Sequence, residues 1–265
     1  MPASGLPAAC PPSVSSAPSA ASSWWWPPTS WGASSRGCSD RPSRRGLAMG
    51  IRDPAAYEAW YATPRGRWIA ASEAAILARL LGSPGGGALL DLGTGTGHFA
   101  RRLAPAWPMV VGVDPDLRAL AYAAARGGGP RYVAADGARL PFAAGAFEAA
   151  VAVTSLCFVA DPVAVLREAW RVTRRVVVLG LLHRRSLLHL RKRGRGGYRG
   201  ARWDTRADVR RWARALDPPP ARVAFASAVL LPGGGAVARA VERLAGGRLP
   251  WGGFLAAALW RPAPP

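Results

Sequence analysis

A glycine-rich turn between an apolar segment and a helix-like segment constrains the fold of this 265-residue chain more than any other feature. The turn has the sequence DLGTGTG, from Asp91 to Gly97, and follows uncharged residues 88–90. Glycines adopt positive φ angles and, lacking a Cβ, let the backbone approach a bulky ligand, while the next helix offers free N–H groups at its start. The pattern predicts a strand, a turn and a helix that together cradle a cofactor.

Helix-like and strand-like segments alternate from Met49 onwards, which is typical of a parallel sheet covered by helices on both faces. We therefore predict an α/β fold with a Rossmann-like, doubly wound, mostly parallel seven-stranded sheet. The predicted strands are 88–92, 109–113, 131–134, 147–153, 175–181, 222–230 and 254–260. The predicted helices are 54–61, 67–81, 98–104, 115–125, 162–170, 204–216 and 236–244.

Two classes of nucleotide cofactor use such a turn, and the residues around it distinguish them. Dinucleotides prefer the spacing GxGxxG, with a pyrophosphate over the helix N-terminus. Here the third glycine arrives one residue early, and His98 stands where that pattern needs glycine. Asp91, two residues before the first glycine, would repel a pyrophosphate but suits a cationic amino group. The turn therefore favours S-adenosylmethionine.

A second carboxylate follows the next predicted strand. The sequence VGVDP places Asp114 at the neighbouring strand end, 23 positions after Asp91, followed by Pro115. Asp114 can accept hydrogen bonds from both ribose hydroxyls. An alternative role is to cap the following helix, because aspartate is a favoured N-cap residue.

These motifs, in this order, make residues 55–181 resemble the class I S-adenosylmethionine-dependent methyltransferases, in particular the small-molecule, type 11-like members. The resemblance implies that the last strand is inserted antiparallel. The stretch ADGARLPF is similar to the D-x-x-x-L-P-F segment of that family, so Asp136 would contact the adenine amino group. Leu117 would pack on the adenine face, although it could equally belong to the core. The predicted cofactor-binding residues are Asp91, Gly93, Thr94, Gly95, Gly97, Asp114, Pro115, Leu117, Asp136, Gly137 and Arg67.

The same resemblance divides the chain into functional parts. Residues 54–81 resemble lid helices, with Tyr57, Trp60 and Tyr61 followed by Arg67, which could pair with the methionine carboxylate. Residues 87–160 form the cofactor half, and residues 161–265 form the acceptor half with a basic segment. Residues 1–48 are rich in Ser, Pro, Ala and Gly without periodicity, so we predict a disordered or wrongly assigned extension, with Met49 as the genuine start.

Methyl transfer from a sulfonium is an in-line displacement, so positioning of the acceptor matters most and a catalytic base is optional. If the acceptor is a hydroxyl, His183 just after the fifth predicted strand is a weak candidate for the base, because ligands bind at the carboxyl ends of strands. A surface position is an alternative for this histidine. The acceptor is expected to be a small molecule of unidentified structure.

The cysteine content and the net charge limit the cellular location and the binding partners that are compatible with the sequence. Three widely spaced cysteines without a metal-ligand pattern fit a reducing cytoplasm, and no metal site is expected. No run of about 18 apolar residues is present, so no membrane span is predicted. Between Arg171 and Arg211 the sequence has 14 basic residues against Asp204 and Asp208. This segment could be a solvated surface, a patch for RNA or anionic membrane, or a rim that attracts an acidic substrate.

Two other functions stay open at this level. One is an NAD(P)-binding Rossmann oxidoreductase, against which His98 and Asp91 argue. The other is a non-catalytic basic scaffold that binds nucleic acid or a protein partner. The sequence does not predict the oligomeric state.

Overall fold

The computed structural model describes residues 51 and 53–263, and the predicted extension 1–48 lies outside them. Seven strands of the described part form a single sheet in the order β3-β2-β1-β4-β5-β7-β6. The strands are β1 (Leu89–Leu92), β2 (Val110–Asp114), β3 (Arg131–Ala134), β4 (Phe147–Val153), β5 (Thr173–Leu182), β6 (Arg222–Ala228) and β7 (Phe254–Trp260).

The α-helices of the described residues accompany these strands. They are α1 (Pro54–Ala62), α2 (Pro64–Leu81), α3 (His98–Leu103), α4 (Leu117–Ala125), α5 (Pro162–Val172), α6 (Leu187–Lys192), α7 (Arg206–Ala213) and α8 (Ala236–Ala245). Every predicted strand and helix is present. Helix α6 was not predicted, because its six residues are too few to show a hydrophobic period.

The strand directions confirm the predicted mostly parallel sheet. The neighbouring pairs β2–β3, β1–β2, β1–β4 and β4–β5 are parallel, whereas β7 runs antiparallel to β5 on one side and to β6 on the other. The insertion of an antiparallel last strand, implied by the family resemblance, is confirmed. All strands except β7 therefore end at the same edge of the sheet, which we call the carboxyl edge.

Each face of the sheet carries its own apolar core. On one face, Ala150 and Ala152 of β4 pack with Leu166 and Trp170 of α5. On the other face, Val151 of β4 belongs to a cluster with residues of α2 and α3, such as Leu77 and Phe99. Every residue of β4 is buried, as expected for a strand covered by helices on both sides. The two helical layers hold the strand ends in fixed positions.

Short side chains define where the helices begin. Thr63 accepts a hydrogen bond from the Gly66 N–H, and Pro64 fits the first helical position, so α2 starts three residues before the predicted boundary at Arg67. Asp116 accepts from the backbone of Arg118 and caps α4. The alternative that Asp114 caps this helix is therefore wrong, and Pro115 lies outside the helix. No helix among the described residues is both long and apolar enough to cross a bilayer.

Candidate functional site

The glycine-rich turn lies at the carboxyl edge, between the end of β1 and the start of α3. Its three glycines have positive φ angles of 73° at Gly93, 52° at Gly95 and 75° at Gly97, which confirms the expectation from the sequence. The N–H groups of Gly93 and Thr94 both donate to the Val113 carbonyl of β2. The turn is therefore tied to the neighbouring strand.

Close approach of other residues requires glycine at two of these positions. A Cβ on Gly93 would lie 2.3 Å from the Ser155 Cβ, and a Cβ on Gly97 would lie 2.3 Å from the Tyr132 hydroxyl oxygen. The Ser155 hydroxyl donates to the Leu92 carbonyl at 2.8 Å, which fixes the residue after β4 against the turn. Any larger residue would push the turn away from the strand ends that support it.

Asp91 lies in the middle of this arrangement with only 2% of its surface exposed. Its Oδ2 accepts a hydrogen bond from the Thr94 hydroxyl at 2.7 Å. Burial is the main cause that raises the pKa of this carboxyl group to about 7; the negative charge of Asp114 contributes to the rise, and the Thr94 hydrogen bond opposes it. No basic side chain among the described residues forms an ion pair with it, so a cation bound here would stabilise its ionised form.

Asp114 holds the turn from the adjacent strand end. Its Oδ2 accepts from the Gly95 N–H and its Oδ1 from the Asp116 N–H, each at 2.9 Å. Burial raises the pKa of this carboxyl group, and the two backbone hydrogen bonds lower it. The structure thus brings Asp91, Asp114 and the glycines together, and each Asp114 oxygen keeps a lone pair for a ligand.

Two predicted adenine contacts lie beyond Asp114. Leu117 is 68% exposed at the first turn of α4, so the alternative that it belongs to the core is wrong. Asp136 is exposed, and its Oδ1 accepts from the Ala138 N–H at 2.9 Å, which shapes the turn that contains Gly137. A Cβ on Gly137 would lie 3.3 Å from a Val165 methyl group, so this backbone packs closely against α5.

Helix α1 is attached to the turn by a carboxylate that the sequence did not single out. The Glu58 side chain is 8% exposed and accepts hydrogen bonds from the Thr96 hydroxyl at 2.6 Å and from Arg101 at 3.1 Å. Its Oε2 lies 3.4 Å from His98 Nδ1. Although burial raises it, hydrogen bonds from His98 and Thr96 bring the pKa of Glu58 down to about 2. Glu58 is therefore an anionic latch between the predicted lid and the turn.

An aromatic contact reinforces this latch. The Tyr61 ring stacks on the His98 ring with centroids 3.7 Å apart and planes 14° from parallel. His98 occupies the position at which the dinucleotide spacing requires glycine, and here its ring packs against Tyr61 of α1. This use of position 98 matches the sequence argument against a dinucleotide.

A second polar cluster combines side chains of α1, α2 and the segment before α7. The hydroxyl oxygens of Tyr57 and Tyr61 are 3.1 Å apart, and the half-buried Glu73 of α2 and Tyr198, which precedes α7, interact with them electrostatically. Burial alone raises the pKa of Glu73 to about 8, because no described side chain donates a hydrogen bond to it. Burial also raises the pKa of Tyr57 to about 12. Tyr57 is nevertheless 37% exposed, so the cluster faces open space.

The chain also contains strain at the carboxyl edge. Thr154, directly after β4, and Val229, directly after β6, adopt φ angles of 48° and 62°. β-Branched residues rarely adopt positive φ, and such strain concentrates at functional sites. The Cys157 thiol donates to the Thr154 carbonyl at 3.1 Å, so this turn is held by its own side chains.

Two predicted residues lie apart from the group around Asp91. The His183 ring is 2% exposed, and its Nδ1 is 3.0 Å from the Gly252 carbonyl oxygen, so the surface alternative is wrong while its catalytic role stays a prediction. Burial lowers the pKa of this imidazole. Arg67 is exposed, donates to the Ala62 carbonyl and lies beside Arg102 and Arg239. Its pairing with the methionine carboxylate therefore stays a prediction.

Sequence reasoning missed Glu58 and Glu73 for an identifiable reason. Both lie in helices that were recognised by their aromatic and apolar residues, and acids are rare in this chain, with 15 among 265 residues. Glu73 lies three residues after the buried Ala70 and four before the buried Leu77, on the same face of α2. An acid at such a position is the signal that could have identified it.

Comparison with known proteins agrees with this geometry. Residues 90–179, which run from β1 into β5, match the family described as "Methyltransferase domain". An uncharacterised protein of Mycobacterium tuberculosis H37Rv is 40% identical over 172 residues, covering 60% of this chain and 55% of that protein. An uncharacterised methyltransferase of Mycobacterium sp. JLS is 40% identical over 92 residues, covering 35% and 36% of the two chains. The chain thus spans about half the length of the first of these relatives.

The fold is shared with solved methyltransferases. The crystal structure of a SAM-dependent methyltransferase from Thermotoga maritima superposes with a TM-score of 0.61 at 22% identity, covering 78% of this chain and 96% of that one. At this level of identity the likeness concerns the fold. The predicted Rossmann-like architecture is confirmed by this match and by the sheet order.

Proposed function

We propose that this chain is a class I S-adenosylmethionine-dependent methyltransferase that transfers a methyl group to a small-molecule acceptor. The observation that carries this proposal is the pair of carboxylates, Asp91 and Asp114, at adjacent strand ends around a turn of three positive-φ glycines. The buried Asp91 fits S-adenosylmethionine better than a pyrophosphate, since its negative charge would repel phosphate, whereas a ribose-binding acid such as Asp114 suits either cofactor.

Each of these residues would contact a different part of S-adenosylmethionine. Asp91 would hold the cationic amino group, because its buried carboxylate has no basic partner among residues 51 and 53–263. Asp114 would accept the ribose hydroxyls with the lone pairs that the Gly95 and Asp116 N–H groups leave free. Leu117 would cover one face of the adenine, which explains an exposed leucine at that position. The bound cofactor supplies an electrophilic methyl group on a sulfonium.

The protein's contribution to the chemistry is positioning and exclusion of water. Glu58 and the stacked Tyr61 keep α1 over the turn, so that an acceptor is confined next to the cofactor. Glu73 lies near Tyr57 and Tyr198, and its negative charge contributes to the raised pKa of each. With a pKa of about 8, this carboxyl group would be a stronger base than an ordinary carboxylate once ionised, and its ionised fraction rises as the pH passes through about 8. We propose Glu73, ahead of His183, as the base for an acceptor that must lose a proton.

A cytoplasmic location completes the proposal. The described cysteine, Cys157, is free and buried, which fits a reducing compartment. The acceptor remains defined by class only, because its pocket comes from the lid and the acceptor half.

Isothermal titration with S-adenosylmethionine tests the proposal. We expect binding to the full chain that weakens at least tenfold in Asp114→Ala, while Asp161→Ala, which removes the exposed cap of α5, keeps wild-type affinity. Release of S-adenosylhomocysteine in an acceptor screen then reports turnover. Equal affinity in the two variants, or binding of NADH in place of S-adenosylmethionine, would refute the assignment.

A further inference from the structure

An apolar groove lies at the carboxyl edge near the ends of β5, β7 and β6, whereas the glycine-rich turn lies at the end of β1. Its volume is about 500 Å³, and it is formed by α6 after β5, by the segment after β6 and by the segment before β7. The apolar residues that line it most directly are Leu187, Leu190, Leu230, Leu231, Leu249 and Trp251. The cofactor contacts described above use none of these residues.

The apolar residues continue outward from the groove onto the surface. Leu190 is 79% exposed and Trp251 59% exposed. On α8, Val241 lines the groove, and Val237 and Leu244 lie on the same helical face with exposures of 72% and 77%. A contiguous apolar patch of this kind is unusual on a protein without a partner and marks an interaction surface.

The surroundings of this patch are strongly basic. Arg184 and Arg185 line the groove, and residues 182–203 contain eight basic side chains and no acidic one. Six of the eight form no ion pair within residues 51 and 53–263: Arg185, Arg191, Lys192, Arg193, Arg195 and Arg199. The nearby acid of α8, Glu242, accepts hydrogen bonds from the N–H groups of Val229 and Leu230. The patch therefore presents positive charge around protruding apolar side chains.

We propose that this basic groove surface, formed by residues 184–199, α8 and residues 249–251, binds the anionic face of a phospholipid bilayer. Exposed leucine and tryptophan side chains insert at the boundary between headgroups and acyl chains, and arginines around them contact lipid phosphates. Nucleic acid would use the arginines but would leave Leu190, Leu244 and Trp251 exposed to water. The combination of both features favours a lipid surface over nucleic acid.

The proposal also predicts how the protein is oriented on the membrane. The groove and the glycine-rich turn both lie at the carboxyl edge, so the bound protein has this edge towards the membrane. The binding itself does not depend on the proposed methyl transfer, and each can be tested without the other.

Co-sedimentation of the full chain with vesicles tests the proposal. We expect binding to vesicles of phosphatidylcholine with 30% phosphatidylglycerol, about tenfold weaker binding at high ionic strength, and little binding to pure phosphatidylcholine. The double variant Leu190→Glu/Trp251→Glu should lose at least tenfold in vesicle partitioning. Its control is Met109→Glu, which also introduces an acid at an exposed apolar residue but at the opposite edge of the sheet.

A second pair of variants distinguishes the effect of arginines next to the groove from the effect of the protein's net charge. Arg191→Gln/Arg193→Gln should weaken partitioning about tenfold or more, whereas Arg131→Gln/Arg214→Gln, with the same loss of charge elsewhere on the surface, should not. Thermal unfolding and circular dichroism establish that each variant is folded. Absence of binding to anionic vesicles, or unchanged binding by the Leu190/Trp251 variant, would overturn the proposal. So would a preference for tRNA over the vesicles.

Discussion

The Glu58 latch makes a quantitative prediction, because its carboxylate is buried and its partners are known. Replacing Glu58 by glutamine keeps the size and an oxygen acceptor for Thr96 but removes the charge that Arg101 and His98 contact. The drop in the Glu58 pKa from 4.5 to about 2 corresponds to about 3 kcal/mol of folding free energy at neutral pH. Glu58→Gln should therefore lower the free energy of unfolding at pH 7 by about 2–3 kcal/mol.

The pH dependence of this loss has a fixed sign. The pKa of Glu58 is lower in the folded state than in the unfolded state, so its contribution is present above about pH 4.5 and is lost as the pH falls towards 2. The difference in stability between wild type and Glu58→Gln should stay constant from pH 7 to 5 and shrink below that. Urea unfolding followed by tryptophan fluorescence measures both quantities.

A matched substitution provides the control. Glu168→Gln also removes one carboxylate, from the partly exposed i,i+3 pair Glu168–Arg171 of α5, and glutamine keeps an oxygen for the Leu140 N–H, so the expected loss is about 1 kcal/mol. If Glu58→Gln is no more destabilising than Glu168→Gln at pH 7, the latch does not hold the lid. A difference that grows rather than shrinks on acidification would also contradict the reasoning.

The remaining predictions concern ligand binding and catalysis. Gly93→Ala should weaken S-adenosylmethionine binding at least tenfold, because the new Cβ would overlap Ser155. Gly86→Ala is the control, since Gly86 also has a positive φ but open space around it, and this variant should bind like wild type. Equal losses of affinity in the two variants would refute the close-approach argument. Binding of S-adenosylmethionine should release protons at pH 6 but not at pH 8, because the bound cation ionises Asp91, whose pKa is about 7. Calorimetry in buffers of different ionisation enthalpy measures this proton release, and Asp91→Asn should abolish it. With an acceptor that loses a proton, kcat should rise with pH through about 8 and lose that dependence in Glu73→Gln; an unchanged profile would remove Glu73 from the mechanism.

The sheet and its turn were readable from the sequence because both depend on local patterns. Strand β4 is a continuous apolar run, and its predicted bounds, 147–153, agree with the structure. The positive φ angles of Gly93, Gly95 and Gly97 follow from the absence of a Cβ at each. Helix boundaries were less accurate because capping depends on single side chains, as Asp116 shows at α4.

Contacts between segments distant in sequence could not be read in the same way. Glu58 is 38 residues from Thr96, and only the packing of α1 on the turn brings the two side chains together. Burial of Glu73 depends equally on the positions of α1, α2 and the segment around Tyr198. The charge of residues 171–211 illustrates the same limit, since Arg171, Arg175, Arg184, Arg202 and Arg211 form ion pairs whereas most of the basic residues around the groove do not.

The sequence alone determined the fold class and the cofactor turn, because hydrophobic periodicity and glycine spacing act over a few residues. Only the tertiary structure decided which acids are desolvated, where the lid is attached and which arginines surround an apolar groove. Those properties depend on the local dielectric environment and on distances between separate elements, and these exist only after the chain has packed.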